Sequence, residues 1–299
     1  MRAFATANGG AKSPGSRLSA PLRYAAAGMT VVGEWVISTT ERSSPGMRTP
    51  WGQAAIIVAI LAMSATSPAQ AAHPNALWRV VHDLCVPDKK VSGLAAPCMA
   101  VDLAHGHAIV TDPGHRTQVL FVPTTRISGI ESARLLAAAS PNYWQAAWQA
   151  RWAFERRLGR NLPREDIALA VNSRSGRTQE QLHIHIDCVR ADVRRALQNH
   201  EGEIGAAWAD LPVDLAGHRY RVRRLKSADL GARDPFKLLA DDPKAAADMG
   251  RQTLVMVGAT FEDGSPGFVL LSDRADLARG DKAAGEDLLD HACGVATRP

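Results

Sequence analysis

Aromatic residues make up only 5% of the 299 positions, and no dense Lys/Arg stripe interleaves with them. The chain therefore lacks the footprint of a nucleic-acid surface. Its formal net charge is +5, a modest excess that suits an anionic ligand such as a phosphate, or an anionic membrane surface. No Gly-rich loop of the Walker type and no G-x-S-x-G elbow occurs, which sets aside P-loop chemistry and the α/β-hydrolase serine. Beyond residue 72 there is neither an internal repeat nor a low-complexity tract, which argues against repeat architectures. What is present is an ordinary globular composition, 46% hydrophobic and 22% charged, enough to bury a sizeable core.

Long apolar runs are scarce as well. The first 72 residues are rich in Ala, Ser, Gly, Thr and Pro, and within them "MRTPWGQAAIIVAILAMSATSPAQAA" sets Arg48 before an apolar run from Ala54 to Ala65 and then Ala69-Gln70-Ala71. That run is about a dozen residues, short of the roughly 20 a spanning helix needs. The layout is that of a cleavable secretory signal, with an uncleaved membrane anchor as the alternative. A signal belongs at the start of a chain, so residues 1–46 are expected to be a non-native or disordered extension, with translation starting at Met47. Residues 47–72 then form the signal or anchor, and residues 73–299 one α+β domain. The expected location is the periplasm or the periplasmic face of the inner membrane.

Cysteine is sparse but even in number: Cys85, Cys98, Cys188 and Cys293. In an exported chain this predicts two disulfides rather than buried thiols. Three pairings are possible. Cys85 with Cys98 is favoured because it closes a short loop containing Pro87, Gly93 and Pro97, and Cys188 with Cys293 because it ties the chain end to the motif strand described below.

Periodicity supplies the elements. "HPNALWRVVHDLC" repeats Leu77, Val80, Val81 and Leu84 at helical spacing, so a first helix is expected to end near Cys85. "HAIVTD" and "TQVLFVPTT", divided by Pro113 and Gly114, read as a hairpin. "SPNYWQAAWQARWAFERRLGR" reads as one helix capped by Ser140 and stopped by Gly159, with Trp144, Ala147, Trp148 and Trp152 on one face packed against a sheet. "DIALAVNS", the loop "SRSGRTQ" and the run "QLHIHIDCV" predict two antiparallel strands. "ADVRRALQNHEGEIGAAW" reads as helical, "HRYRVRRLK" as a basic strand, and "QTLVMVGATF" with "PGFVLLSD" as a terminal hairpin.

The run around "LHIHID" carries the chemistry. On a strand, Leu182, Ile184, Ile186 and Cys188 share a core face, while Gln179, Gln181, His183, His185 and Asp187 share the other. Three readings compete. The histidines could bind zinc with Asp187 and with His105 or His107, because a stable site needs a third or fourth ligand. They could be the wet face of an ordinary strand. Or one neutral imidazole could attack phosphorus, given a partner to fix its tautomer and donors around the phosphate. The adjoining loop offers Asn172, Ser173, Arg174, Arg177, Thr178 and Gln179 as donors. His105, His107, His115 and His218 read, taken singly, as ordinary loop histidines.

The segment "NSRSGRTQEQLHIHIDCVRADVR" resembles the signature of the bacterial CDP-diacylglycerol pyrophosphatases, a membrane-associated branch of the histidine-triad (HIT) superfamily. "NALWRVVHDLCVP", "FVPTTRISGIES", "PNYWQAAWQAR", "DPFKLLA" and the terminal cysteine segment follow the same order. The resemblance implies a HIT-like antiparallel sheet with packed helices, a liponucleotide substrate, and cleavage to CMP and phosphatidate through a nucleotidylated histidine, with no metal or other cofactor. The superfamily alternates three histidines with apolar residues, and the central one attacks. Here there are two. If His183 and His185 are the first two, Asp187 stands in the third place and His185 is the nucleophile. If they are the last two, Gln181 stands in the first and His183 attacks. His185 is preferred, because the spacing from Asn172 and Gln179 then needs no gap. His183, Asn172 and Gln179 are assigned to the phosphoryl oxygens, with Thr178, Gln181 and Asp187 beside them as phosphate ligands; Arg174 and Arg177 are assigned to drawing in the anion, and Asp187 or a backbone carbonyl also to orienting a ring.

Overall fold

The computed structural model describes residues 73–297. The expected extension at 1–46 and signal or anchor at 47–72 lie outside the described residues. Among those described, ten strands form one sheet. They are β1 (Ala100–Asp102), β2 (His107–Thr111), β3 (Val119–Pro123), β4 (Ile167–Val171), β5 (Ile184–Val189), β6 (Ala209–Asp210), β7 (Arg221–Leu225), β8 (Leu254–Thr260), β9 (Pro266–Ser272) and β10 (Leu289–Asp290). The spatial order is β1-β2-β3-β5-β4-β8-β9-β7-β6, with β10 paired to β5. Each pairing is antiparallel. The protein is thus α+β with a large antiparallel sheet, as the strand and hairpin signals predict.

The sheet buries both faces, which is why its central strands read as nearly continuous apolar runs. One face, carrying Leu169, Ile184, Ile186, Met256 and Leu270, packs under helices. Opposite it lie two separate apolar patches: one around Ala168, Ala170, Val255 and Leu271, the other around Ala108, Val110, Leu120 and Val122. His183, His185 and Asp187 belong to the same face as these patches, by alternation from Ile184 and Ile186, and all three are buried. A polar seam therefore runs along the middle strand between two apolar patches.

Several elements differ from expectation. The first helical segment does not stop at Cys85: α1 (Ala76–Arg79) passes through a π-helical stretch at Val80–Cys85 into α2 (Val86–Val91). Pro87, second residue of α2, follows directly on the π-helical stretch, whose wider turn is closed by the Val86 amide on the Val81 carbonyl. The tryptophan-rich segment is two helices, α3 (Tyr143–Gln149) and α4 (Trp152–Leu158). Its cap is Asn142, whose side chain accepts from the Gln145 amide at 3.1 Å, not Ser140. The break at Ala150 and Arg151 rotates the second half, so Trp144 and Trp148 are buried while Trp152 is 44% exposed. Gly159 ends α4 in the left-handed region at φ 81°, as a helix stop requires. Downstream, α5 (Ala191–Asn199), α6 (Pro235–Ala240) and α7 (Pro243–Ala246) complete the α-helices of the described residues.

Both favoured disulfides form, Cys85 with Cys98 and Cys188 with Cys293. The second has a structural context that the sequence did not suggest. β3 pairs with β5 as far as Ile186, and β10 then pairs at Cys188 and Val189. The end of the chain therefore enters the sheet beside the polar seam.

Candidate active site

His185 sits where β5 is flanked on both sides, opposite Leu120 of β3 and Ala170 of β4. Small and aliphatic neighbours leave its ring enclosed. Its Nδ1 faces two oxygens, Gln118 Oε1 at 3.1 Å and Glu286 Oε2 at 3.4 Å. Two acceptors at one nitrogen place the proton on Nδ1, which donates to them and leaves Nε2 with a lone pair. That Nε2 is buried and has no hydrogen-bond partner. Burial pushes the ring's pKa well below the ordinary imidazole value, and the neighbouring His183, His291 and His115 push the same way. His185 is therefore a neutral imidazole with an unclaimed lone pair.

His183 precedes the first residue of β5 and lies edge-on to His185, ring centroids 4.8 Å apart. Its Nδ1 donates to the backbone carbonyl of Gln181 at 2.7 Å, and burial lowers its pKa. The backbone carbonyl expected to orient a ring is thus that of Gln181, acting on His183. Asp187 orients a different ring, His291, which donates from Nδ1 to Asp187 Oδ2 at 2.9 Å. The other Asp187 oxygen accepts from Thr117 Oγ1 at 2.8 Å and the Cys188 amide at 2.9 Å.

These contacts correct several expected phosphate ligands. Asp187 is wholly buried with both oxygens engaged, so it is a support and not a phosphate ligand. Gln181 lies ahead of the strand, its amide nitrogen donating to the Pro123 and Thr125 carbonyls at 3.0 Å each. Gln179 accepts from the Leu77 amide at 2.9 Å and donates to the His73 carbonyl, tying down the first helical segment. Arg177 is the largest departure: its side chain is 4% exposed and clamped by Glu131 at 2.7 Å and Glu180 at 2.8 Å. Two carboxylates neutralise the charge that was assigned to the anion. Arg174 remains mostly open to solvent, 4.0 Å from Glu131, and Thr178 is exposed. The alternating row of five polar residues is therefore only partly real, because β5 begins at Ile184 and the chain before it turns away.

Asn172, just past β4, does reach the seam. Its Nδ2 donates to Glu286 Oε1 at 2.9 Å and its Oδ1 accepts from the Glu286 amide at 3.2 Å. Glu286 is thereby held beside His185, and burial raises its pKa. Its neighbour Gly285 packs so closely on β8 that a Cβ would strike the Thr253 hydroxyl and Val255. Only glycine lets this turn approach.

The zinc reading fails on its own ligands. His105 is exposed beside Asp102, and His107 stacks on Phe121, 4.7 Å between centroids, on the opposite face of the sheet. Among the described residues, the side chains gathered at metal-ligand spacing are His218, Asp273 and Asp281, away from the HxH pair. The bland strand-face reading fails too, since both rings are buried.

Four residues of the seam carried no site signal in the sequence: Gln118, Thr117, Glu286 and His291. They come from a turn and from the chain end, where no periodicity marks them. His115 was read as an ordinary loop histidine, yet it stacks on His291 with centroids 3.7 Å apart and donates from Nδ1 to Asp112 at 3.1 Å. Arg157 of α4 holds this turn by donating to the carbonyls of Arg116 at 2.6 Å and His115 at 2.9 Å.

The chain is 40% identical over 241 residues to a CDP-diacylglycerol pyrophosphatase of Yersinia pestis, covering 80% of this chain and 92% of that one. The family model described as CDP-diacylglycerol pyrophosphatase matches residues 72–297, nearly all of the chain around the seam. This chain belongs to the CDP-diacylglycerol pyrophosphatase family.

Proposed function

We propose that the protein hydrolyses the diphosphate of CDP-diacylglycerol to CMP and phosphatidate, with His185 attacking the nucleotide-side phosphorus. The observation that carries the mechanism is the lone pair of His185 Nε2, buried and without a partner while Nδ1 is held by two oxygens. A neutral ring fixed in that tautomer is a nucleophile before substrate arrives. His183, 4.8 Å away and anchored by a backbone carbonyl, would take a second proton as the diphosphate's charge approaches, and would then donate to a phosphoryl oxygen. Asn172 keeps one amide hydrogen beyond its bond to Glu286 and would serve the same task. The leaving phosphatidate is a phosphate monoester with a second pKa near 6. It departs with little protonation, so the site's main work is to steady charge on the transferring phosphoryl group.

The HIT-like assignment, export to the periplasm and docking on the inner-membrane surface belong to the same proposal. They rest on the alternating histidines and on the apolar run before residue 73. Purified enzyme in chelator is expected to release CMP from CDP-diacylglycerol, with His185→Ala reducing turnover by at least about 10³-fold. In cell fractions the activity is expected with the membranes or periplasm. Undiminished turnover in the variant would exclude His185 as nucleophile, and activity confined to the cytosol would exclude export.

A further inference from the structure

We propose that His291 is the general base of the second half of the reaction, taking a proton from the water that hydrolyses nucleotidylated His185. This rests on the covalent reading above. In the first half, His185 Nε2 forms an N–P bond while the bridging P–O bond breaks and its electron pair leaves with phosphatidate. No strong acid is needed there. In the second half, the oxygen of water forms a P–O bond, the N–P bond breaks and its electron pair returns to His185. One proton of that water must go to a base, which is lost to solvent when CMP leaves.

The seam offers one suitable group. His185 is occupied by phosphorus at this stage, and His183 is enclosed and anchored through Nδ1. Glu286 is clasped by Asn172 and turned toward His185 Nδ1. His291 stands at the rim, its side chain 30% exposed. Its Nδ1 proton is held by a fully buried carboxylate, Asp187, which leaves Nε2 open, with no partner among the described residues. A carboxylate behind an imidazole fixes its tautomer and stabilises the cation formed on proton uptake. Gln118 lies between the two rings: its Oε1 accepts from His185 Nδ1 at 3.1 Å, while its Nε2, 3.3 Å from His291 Nδ1, meets a nitrogen whose proton goes to Asp187 and makes no hydrogen bond to it.

The placement of His291 is enforced. β10 pairs with β5 at Asp290 and Cys188, and two residues beyond His291 the Cys188–Cys293 bond closes the segment onto the strand that carries Asp187. Cys293 adopts φ 53°, a left-handed conformation unusual for a side-chain-bearing residue, which the disulfide and its amide bond to the Asp290 carbonyl at 2.9 Å maintain. The charges facing His291 are Asp187 from β5, His115 and Asp112 from the β2–β3 turn, Glu286 from the preceding turn and Asp290 beside it, with Arg190 and Arg195 lining the surface next to it. The Asp187 hydrogen bond raises the pKa of His291 above the ordinary value. The hydrolytic step therefore gains rate as pH rises through the pKa of His291, which lies above that of an ordinary imidazole.

Rapid mixing of the full-length His291→Asn variant with CDP-diacylglycerol carrying a radiolabelled cytidine tests this, because Asn can still donate to Asp187. The expected result is a phosphatidate burst near the wild-type rate, a steady-state rate lowered about 10²- to 10³-fold, acid-labile label accumulating on the protein, and loss of the ascending pH limb. Wild-type steady-state turnover, or burst and steady state falling together without label, would overturn the role of His291. In the latter case Arg157→Ala, which loosens the turn without touching His291, distinguishes general loosening of the seam: an equal loss of burst there marks His291 as merely structural. Turnover surviving in His185→Ala would instead overturn the covalent reading on which the proposal stands.

Discussion

Gln118 shows how one side chain can decide the chemistry of another. His185 is useful as a nucleophile only if its proton sits on Nδ1, and Gln118 supplies the nearer of the two acceptors that put it there. Gln118→Ala leaves Glu286 at 3.4 Å as the sole acceptor, so both tautomers become populated. The expected outcome is a fall in kcat of about 10²-fold with KM little changed, read from steady-state CMP release. A wild-type kcat would show that Glu286 alone fixes the ring. Arg177 teaches the converse lesson. In sequence it is a basic residue beside a candidate phosphate site, but Glu131 and Glu180 consume its charge. Residue type announces what a side chain can do, and its partners decide whether it is free to do it.

At the scale of elements, the strand that carries the histidines was legible and its companions were not. Apolar residues at every second position of β5 mark it as a strand with one core face, and Cys188 on that face foretells a tie to another segment. The limits of β5 were less legible, because Gln179 and Gln181 continue the alternation in sequence although the backbone has left the sheet. Their amides satisfy backbone groups of the first helical segment and of the chain after β3 instead, a competition that pattern alone does not register. The C-terminal segment depends on the Cys188–Cys293 bond, which spans 105 residues. Cys293→Ala is expected to lower the unfolding free energy by about 4 kcal/mol, measured from denaturant midpoints under non-reducing conditions. Turnover should fall with it, since the same bond holds His291 beside Asp187. Full activity in a destabilised variant would separate the disulfide from the site.

Over the whole molecule, enclosing histidines between two apolar patches couples the site to stability. His183, His185 and His107 are held below the ordinary imidazole pKa chiefly by burial. Their unfolded counterparts take up protons near pH 6.5 while the folded rings refuse them, so stability is lost as pH falls below about 6.5. His291, raised by Asp187, acts in the opposite sense: its contribution is full below the unfolded pKa and fades as pH rises through the folded one. Opposing the three lowered rings, in the same sense as His291, are the carboxyls of Asp234 and Asp273, pushed up by burial to about 6, and of Glu286, also raised by burial. The histidine contribution is isolated by comparing variants, each proton refused carrying a limiting slope of about 1.4 kcal/mol per pH unit. In thermal unfolding between pH 7 and 5, His185→Gln is expected to lose less stability on acidification than the parent, and an equal loss would mean that the ring is already charged in the fold.

By itself, the sequence determined the α+β class, the antiparallel pairing around the histidine strand, the expectation of two disulfides and the two adjacent imidazoles, because each of these is written in local periodicity or in a small even count; it favoured one of three disulfide pairings, and the fold chose it. Tertiary structure decided the rest. Asp187 became the support of His291, Arg177 was withdrawn into an ion pair, and Gln118, Glu286 and His291 were delivered from positions up to 106 residues from His185 in the chain. Such residues carry no local signal, because what selects them is proximity across the sheet. The opening pattern of "LHIHID" thus marks the strand of the proposed nucleophile, and only the folded chain shows which nitrogen on it is left without a partner.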